Sequence, residues 1–364
     1  MNNYKIAILA GDGIGPEIMS EAVKVLKVIE ARNDVTFSLT EASFGGCAYR
    51  DTGHPFPEAT KTICDEADAI LKGPVGLNHE ESEKIPVDLR PERAALLPLR
   101  KRLNTYANFR PVSLPKRLAH FSPLKPEIIG EGIDTLLIRE LVGGLYFGEK
   151  EVGVNADGLR YVKETLEYDE SQIERIVRVG FEQSMRRKKV LHNIHKSNVL
   201  KSSVLWNEVL GEVAKDFPEV DVIHMLVDAA ATALCLNPTQ FDVMVMENMF
   251  GDILSDQCGG VLGSLGLMPS ACIGDSSAYY EPSHGSAPDI AGQNIANPYS
   301  MIGSVAMMLE LSFNMHDESK NVWNAMQSVF ADGFSTPDLS KPGADVKMIK
   351  TNEFGDRVVN ALKG

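Results

Sequence analysis

Short apolar runs alternate with stretches of helical period along almost the whole chain. Residues 4–10 form a run that ends in glycine, which predicts a buried strand. Pro16 then stands where a helix would begin, and Ile18, Ala22, Leu26 and Ile29 recur at helical spacing. A helix around 57–67 precedes a strand at 69–72, and a helix over 90–103 leads into a strand and turn at 106–111. Further on, the pattern predicts strands at 134–139, 190–194 and 220–227, with helices over 170–187 and 204–215 between them. The last third predicts a glycine-rich helix at 259–266, a turn-rich stretch over 270–298, an apolar helix over 299–313 and one final helix. Strand and helix in alternation imply an α/β architecture with a largely parallel sheet.

One stretch breaks the alternation. Residues 149–166, with Gly153, Asn155 and Gly158, read as a polar hairpin, either a projecting arm that pairs with another subunit or a surface loop. No repeat or low-complexity linker separates two halves, so a second domain is expected to be inserted in the first. With 364 residues and 44% hydrophobic content, about two domains and a sizeable core are expected.

Charge and cysteine usage narrow the class. Thirty-six Lys and Arg against 50 Asp and Glu leave a net charge of −14, which argues against a nucleic-acid surface. An anionic substrate would therefore need a local cluster of cations. No apolar window has the length of an export signal or a membrane span, and the five scattered cysteines lack CxxC spacing. Together these predict a cytoplasmic protein with free thiols and no membrane partner.

Several residues carry candidate chemistry. The loop from Gly11 to Pro16 follows a strand and opens a helix, where a phosphate could bind. Its spacing is GxGxG, however, and no acid ends a second strand about twenty residues on, so a tight structural turn is an equal reading. Asp252 and Asp256 lie four apart, on one face of a helix, and suit a hard divalent cation. Asp228, at the end of the strand expected over 220–227 among apolar neighbours, could complete a Mg²⁺ or Mn²⁺ site, since an unpaired charge there would be costly. Arg100, Arg110 and Arg139 flank strand ends and can contact carboxylates bidentately. Residues 186–189, Arg-Arg-Lys-Lys, read as the solvated end of a helix, and His192 and His195 as core or surface histidines. Lys196 and Tyr146 occupy loops after strands and are candidates for proton transfer.

Five segments resemble the β-decarboxylating dehydrogenases. They are GDGIGPE from Gly11, Arg139-Glu140-Leu141 with the run from Gly144 to Gly148, His195-Lys196-Ser197-Asn198-Val199, NMFGDILSD from Asn248, and EPSHGSAPDIAG from Glu281. The resemblance implies two α/β domains with a cleft between them, on a fold that is not the Rossmann one. The first domain would comprise residues 1–105 and 263–364, and the second, dimerising domain 106–262, with an intersubunit arm at about 150–166.

It also implies site roles. Arg100, Arg110 and Arg139 would grip two substrate carboxylates, with Asp228, Glu92, Leu96 and Leu97 also lining the substrate. Asp252, Asp256 and Asp228 would hold Mg²⁺ or Mn²⁺, with Asp228 and Lys196 coming from a neighbouring subunit of a homodimer. NAD would be held by Ile14, Glu281, His284, Gly285, Ser286, Ala287, Asp289, Ile290 and Asn297. The Asp289 carboxylate favours NAD over NADP because it can accept from ribose hydroxyls and would repel a 2′-phosphate. Lys196 would act as base and Tyr146 as proton donor.

The expected reaction is oxidative decarboxylation of a malate bearing an isopropyl group, 3-isopropylmalate, to 4-methyl-2-oxopentanoate and CO₂ in leucine biosynthesis. Homoisocitrate, tartrate and isocitrate-type substrates are the alternatives. Apolar Leu96 and Leu97 favour the isopropyl group, whose burial contributes roughly 2 kcal/mol. Counting back from Arg100 without a gap puts Arg93 at the family's pocket glutamate, whereas one extra residue at the helix start restores Glu92.

Overall fold

A computed structural model describes residues 2–340 and 346–364. Residues 1 and 341–345, which belong to the expected first domain, lie outside the described residues. Besides two two-residue strands near the C-terminus, the strands among the described residues are β1 (Asn2–Leu9), β2 (Val35–Glu41), β3 (Ala69–Lys72), β4 (Ala107–Pro115), β5 (Gly132–Glu140), β6 (Lys150–Val154), β7 (Arg160–Glu164), β8 (Val190–His195), β9 (Asp221–Leu226), β10 (Val243–Met246), β11 (Pro269–Ile273) and β12 (Ala278–Pro282). The chain divides into two compact units. One takes the described residues up to Thr105, Pro115–Pro123 and those from Gly259 onward; the other takes Tyr106–Leu114 and Leu124–Cys258.

In the first unit the strands lie in the order β2-β1-β3-β12-β11. β1 pairs parallel with β2 and β3, β3 parallel with β12, and β12 antiparallel with β11. β3 sits between two neighbours, and all four of its residues are buried, which is why Ile70 and Leu71 show no polar alternation. Helix Gly15–Arg32 buries Ile18, Ala22, Val25, Leu26 and Ile29 on one stripe. Helix Tyr299–Leu311 is buried from Tyr299 to Leu309, so its lack of a polar face marks it as the central helix of this unit. The C-terminal region forms two helices where one was expected, His316–Ala331 and Thr351–Lys363.

The second unit has the order β4-β5-β10-β8-β9, with β10 parallel to β5 and β8, and β8 parallel to β9. The central strand β10 is wholly buried, while the edge strand β9 carries exposed Asp221, Ile223 and His224. Helix Glu170–Met185 starts in a capping box, with Asp169 accepting from the Gln172 N–H at 2.8 Å and Gln172 answering the Asp169 N–H at 3.2 Å. β6 and β7 pair antiparallel, so residues 149–166 do form a hairpin, and its Val152, Val154 and Val162 are exposed.

Two expectations are corrected here. The glycine-rich helix placed at 259–266 is the end of a longer helix, Asn248–Leu262, followed by a short 3₁₀ turn at Leu265–Leu267. The basic run at 186–189 is not simply solvated: Arg187 donates to Asp242 at 2.8 Å and pairs with Asp134 at 2.9 Å, fastening the helix end to the start of β5. No helix among the described residues is long and apolar enough to cross a membrane.

Candidate active site

Helix Asn248–Leu262 organises the acidic part of the second unit. Its first turn is capped by Glu247, which accepts from the N–H groups of Met249 at 3.1 Å and Phe250 at 2.9 Å. One turn further, Asp252 pairs with the buried guanidinium of Arg139 through one oxygen and accepts from the Tyr146 hydroxyl at 2.8 Å through the other. Asp256, on the same face, accepts from Arg110 Nη1 at 3.2 Å. Arg110 is itself fixed by Asn108 at 2.9 Å and Ser255 at 2.5 Å. Arg139 is the last residue but one of β5 and is only 1% exposed; its Nε and Nη2 both donate to Asn248 Oδ1, at 3.1 and 2.8 Å. Gly251 makes this contact possible, since a Cβ there would lie 2.5 Å from Arg139 Cγ.

These surroundings set proton affinities. Burial pushes the Tyr146 hydroxyl up to about 12, and its hydrogen bond to the Asp252 carboxylate adds to the shift. Tyr146 therefore stays protonated at neutral pH. Burial also raises Asp256, against the opposing charge of Arg110.

Lys196 follows β8 directly and donates to Asp228 Oδ1 at 2.5 Å, holding that carboxyl below its ordinary range. Asp228 corrects the reading from spacing. It is not a buried charge at a strand end, because β9 stops at Leu226 and Asp228 occupies the exposed first turn of helix Val227–Leu236. Among the described residues, no three His, Cys, Asp or Glu side chains of one chain converge on a point where a metal could bind. Asp228, Asp252 and Asp256 thus do not close a metal site within a single chain.

The first unit carries a second constellation. Arg100 is buried and donates from Nε to the Tyr279 hydroxyl at 3.1 Å, with Glu281 4.0 Å from its Nη2. Lys72, at the end of β3 and 1% exposed, pairs with Glu281 at 2.5 Å and donates to the Gly73 carbonyl at 3.0 Å. Lys72 is a residue that spacing did not single out. Its signal was a lone lysine closing an apolar strand, where a charge requires a partner.

The glycine loop proves to be a scaffold. Asp12 accepts from three backbone N–H groups, those of Gly46, Cys47 and Gly76, at 2.8, 2.7 and 3.0 Å. The Ile14 N–H donates to the Ser286 carbonyl at 2.8 Å. Gly13 has φ +58°, and a Cβ on it would lie 1.9 Å from that same carbonyl. The loop therefore holds the backbone at Ser286, within residues 284–287, by close contact. Within that held segment, Ser286 Oγ donates to Gly76 O at 2.8 Å and Ala287 is left-handed at φ +40°. His284 keeps Nε2 shielded and without a partner among the described residues, and burial lowers its imidazole pKa. Asp289 and Ile290 form a short 3₁₀ turn with the Asp289 side chain exposed. Asn297 is buried and engaged at both polar ends, accepting from the Tyr299 N–H at 3.0 Å and donating to Asp338 at 3.1 Å. It belongs to the turn that starts helix Tyr299–Leu311.

Local geometry distinguishes the surroundings of Glu92 and Arg93. Residues Glu92–Leu96 form a π-helical turn in which the Leu97 N–H reaches Glu92 O, before helix Leu97–Leu103 continues. A π turn accommodates one more residue than an α turn. A Cβ placed on Gly76 would lie 3.2 Å from Glu92 Oε1 and 3.3 Å from Ser286 Oγ, so Glu92 faces those loops. Arg93 instead lies 3.6 Å from Asp88, and both side chains are largely exposed. Leu96 and Leu97 are half-buried.

The fold and these constellations define a dehydrogenase of the isocitrate/isopropylmalate type. A family model described as isocitrate/isopropylmalate dehydrogenase matches residues 5–358, and the chain belongs to that family. It is 47% identical over 360 residues to a 3-isopropylmalate dehydrogenase of Halalkalibacterium halodurans, covering 99% of this chain and 98% of that one. A 3-isopropylmalate dehydrogenase of Thermotoga maritima is 46% identical over 359 residues, with 99% of each chain covered. Among solved structures, the isocitrate dehydrogenase from Methylococcus capsulatus superposes with a TM-score of 0.85 at 33% identity, covering 99% of this chain and 100% of that one.

Proposed function

We propose that this chain catalyses the NAD-linked oxidative decarboxylation of 3-isopropylmalate to 4-methyl-2-oxopentanoate and CO₂, a step of leucine biosynthesis, as a cytoplasmic homodimer with shared active sites. The observation that carries this reading is the near-full-length likeness to 3-isopropylmalate dehydrogenases at 43–47% identity. Likeness to an isocitrate dehydrogenase is weaker at 33%, and apolar Leu96 and Leu97 provide nothing to pair a third carboxylate.

The residues present fit the implied groups. Asp252 and Asp256 offer hard oxygen donors on one helix face for Mg²⁺ or Mn²⁺, with Asp228 of the partner subunit as the third. The unpartnered Nε2 of His284 and the bare backbone at Gly285 suit an adenine edge, and exposed Asp289 suits ribose hydroxyls. When bound, NAD accepts a hydride and the divalent cation draws charge from the substrate's hydroxyl and neighbouring carboxylate.

The chain's own residues do the rest. Arg100, Arg110 and Arg139 bind and orient the two malate carboxylates. Lys196 of the partner subunit takes the hydroxyl proton, directly or through water, as the C2–H bond gives up its hydride. Loss of CO₂ from the resulting 2-oxo acid leaves its bonding electrons in an enolate. Tyr146 supplies the proton that restores a C–H bond, and its high pKa keeps that proton available. Assaying NADH formation with 3-isopropylmalate, isocitrate, homoisocitrate, tartrate and malate, each with NAD and with NADP, tests the proposal. A kcat/KM for 3-isopropylmalate and NAD no higher than for any other pair overturns it.

A further inference from the structure

Beneath the acidic helix face lies a polar cluster that the proposed reaction does not use. Glu140 and Glu247 are buried, at 0% and 6% exposure, and both reach the same phenol oxygen of Tyr168, Glu140 Oε2 at 3.2 Å and Glu247 Oε2 at 3.4 Å. That oxygen also accepts the Asn248 N–H at 3.0 Å. Each carboxyl group further accepts two backbone N–H groups: Val142 and Gly143 for Glu140, both at 2.9 Å, and Met249 and Phe250 for Glu247.

The phenol has too few hydrogens to serve two ionised carboxylates. A phenol oxygen can donate once and accept twice. One acceptor position takes Asn248, and the single proton can satisfy one carboxylate. If both glutamates were ionised, the second would face a lone pair, and two buried like charges would stand against one oxygen. With one proton between the two carboxyl groups, the protonated one donates to Tyr168, Tyr168 donates to the other, and every position is filled. Charged groups acting on the cluster include Arg175 on Glu140 and Arg139 on Glu247; Tyr146 feels Glu247 in turn. Burial nevertheless raises the pKa of both glutamates.

The cluster bears directly on the substrate-facing arginine. Asn248, whose N–H rests on Tyr168, holds Arg139 through its side-chain oxygen and donates to the Gly143 carbonyl at 3.0 Å. Gly143 and Gly144, which lead to Tyr146, lie close against Tyr168: a Cβ on Gly143 would come within 2.6 Å of a ring carbon, and one on Gly144 within 2.4 Å of the hydroxyl oxygen. We propose that Glu140, Tyr168 and Glu247 form a positioning triad in which the two carboxyl groups hold one proton between them through the Tyr168 hydroxyl, and that this triad aims Arg139 by way of Asn248.

Infrared spectra of the full-length enzyme with isotope-labelled glutamate test the shared proton. In neutral buffer they should show a carboxylic-acid C=O stretch from a glutamate. That stretch should vanish in both Glu140→Gln and Glu247→Gln, because the remaining carboxylate then takes the Tyr168 proton alone. Its absence in the unaltered enzyme, or its survival in both variants, overturns the shared proton whether or not a variant folds well. Tyr168→Phe should raise KM for 3-isopropylmalate about tenfold, the loss of one buried hydrogen bond, while KM for NAD stays unchanged. Equal rises in both constants would reduce Tyr168 to a general structural role. The kinetic measurement rests on the function proposed above, whereas the infrared measurement needs no turnover, so the two can fail separately.

Discussion

The candidate groups of the second unit and the 284–287 segment of the first are held by opposite means. In the second unit every candidate group is a side chain already paired with a complementary charge or donor: Arg139 and Tyr146 with Asp252, Arg110 with Asp256, Lys196 with Asp228. In the first unit the segment 284–287 is held by backbone, with Gly13 pressed against the Ser286 carbonyl and Asp12 gathering three N–H groups. Charge pairs can be exchanged for a ligand's charges without moving the chain. A backbone cradle keeps its shape only where no Cβ intrudes. Changes at the paired groups of the second unit should therefore damage chemistry and spare the fold, and changes at the backbone contacts of the 284–287 segment should do the reverse.

The largest effect tests the first half of that contrast. Tyr146→Phe and Lys196→Met should each lower kcat by about 10²–10⁴-fold, with KM for 3-isopropylmalate within a few-fold and thermal unfolding unchanged. Steady-state kinetics and calorimetry check this, and an unaffected kcat removes the residue from proton transfer. Asp256→Asn should weaken Mn²⁺ binding by roughly 10–100-fold, the range that changes around a metal site produce. Titration calorimetry reads this directly, and unchanged affinity refutes the metal assignment.

The other half of the contrast is tested by Gly13→Ala. Positive φ and the clash with Ser286 O should destabilise the fold by about 1–3 kcal/mol and raise KM for NAD more than KM for 3-isopropylmalate. A stable variant with both constants intact would show that the cradle tolerates a Cβ. The smallest effect is one of pH. Burial lowers the pKa of His192, His195 and His284 from 6.5, so below that value the unfolded chain binds protons that the folded chain does not. Stability should fall as pH drops through and below 6.5, and His192→Asn should flatten part of that slope in denaturant titrations.

Much of this was legible beforehand, because periodicity and short-range spacing are local properties. The four-residue step from Asp252 to Asp256 needed only a helix to place both acids on one face, and the alternation of β1, helix Gly15–Arg32 and β2 needed only apolar periodicity. The apolar neighbours of Asp228 suit a buried strand end as well as an exposed helix start, and local composition does not distinguish the two. Whether the turn after Glu92 is α or π is a difference of one hydrogen bond that no residue spacing reveals.

By itself, then, the sequence determined the α/β class, the family motifs and the residue types able to bind metal, carboxylate and dinucleotide. The tertiary structure decided which charges are paired: Lys72 with Glu281, 209 residues apart in the chain, and Glu140 with Glu247 across one phenol. It also showed that GxGxG is a brace for a distant loop. The physical reason is that proton sharing, ion pairing and backbone contact depend on distances of about 3 Å between residues far apart in sequence, and folding alone sets those distances.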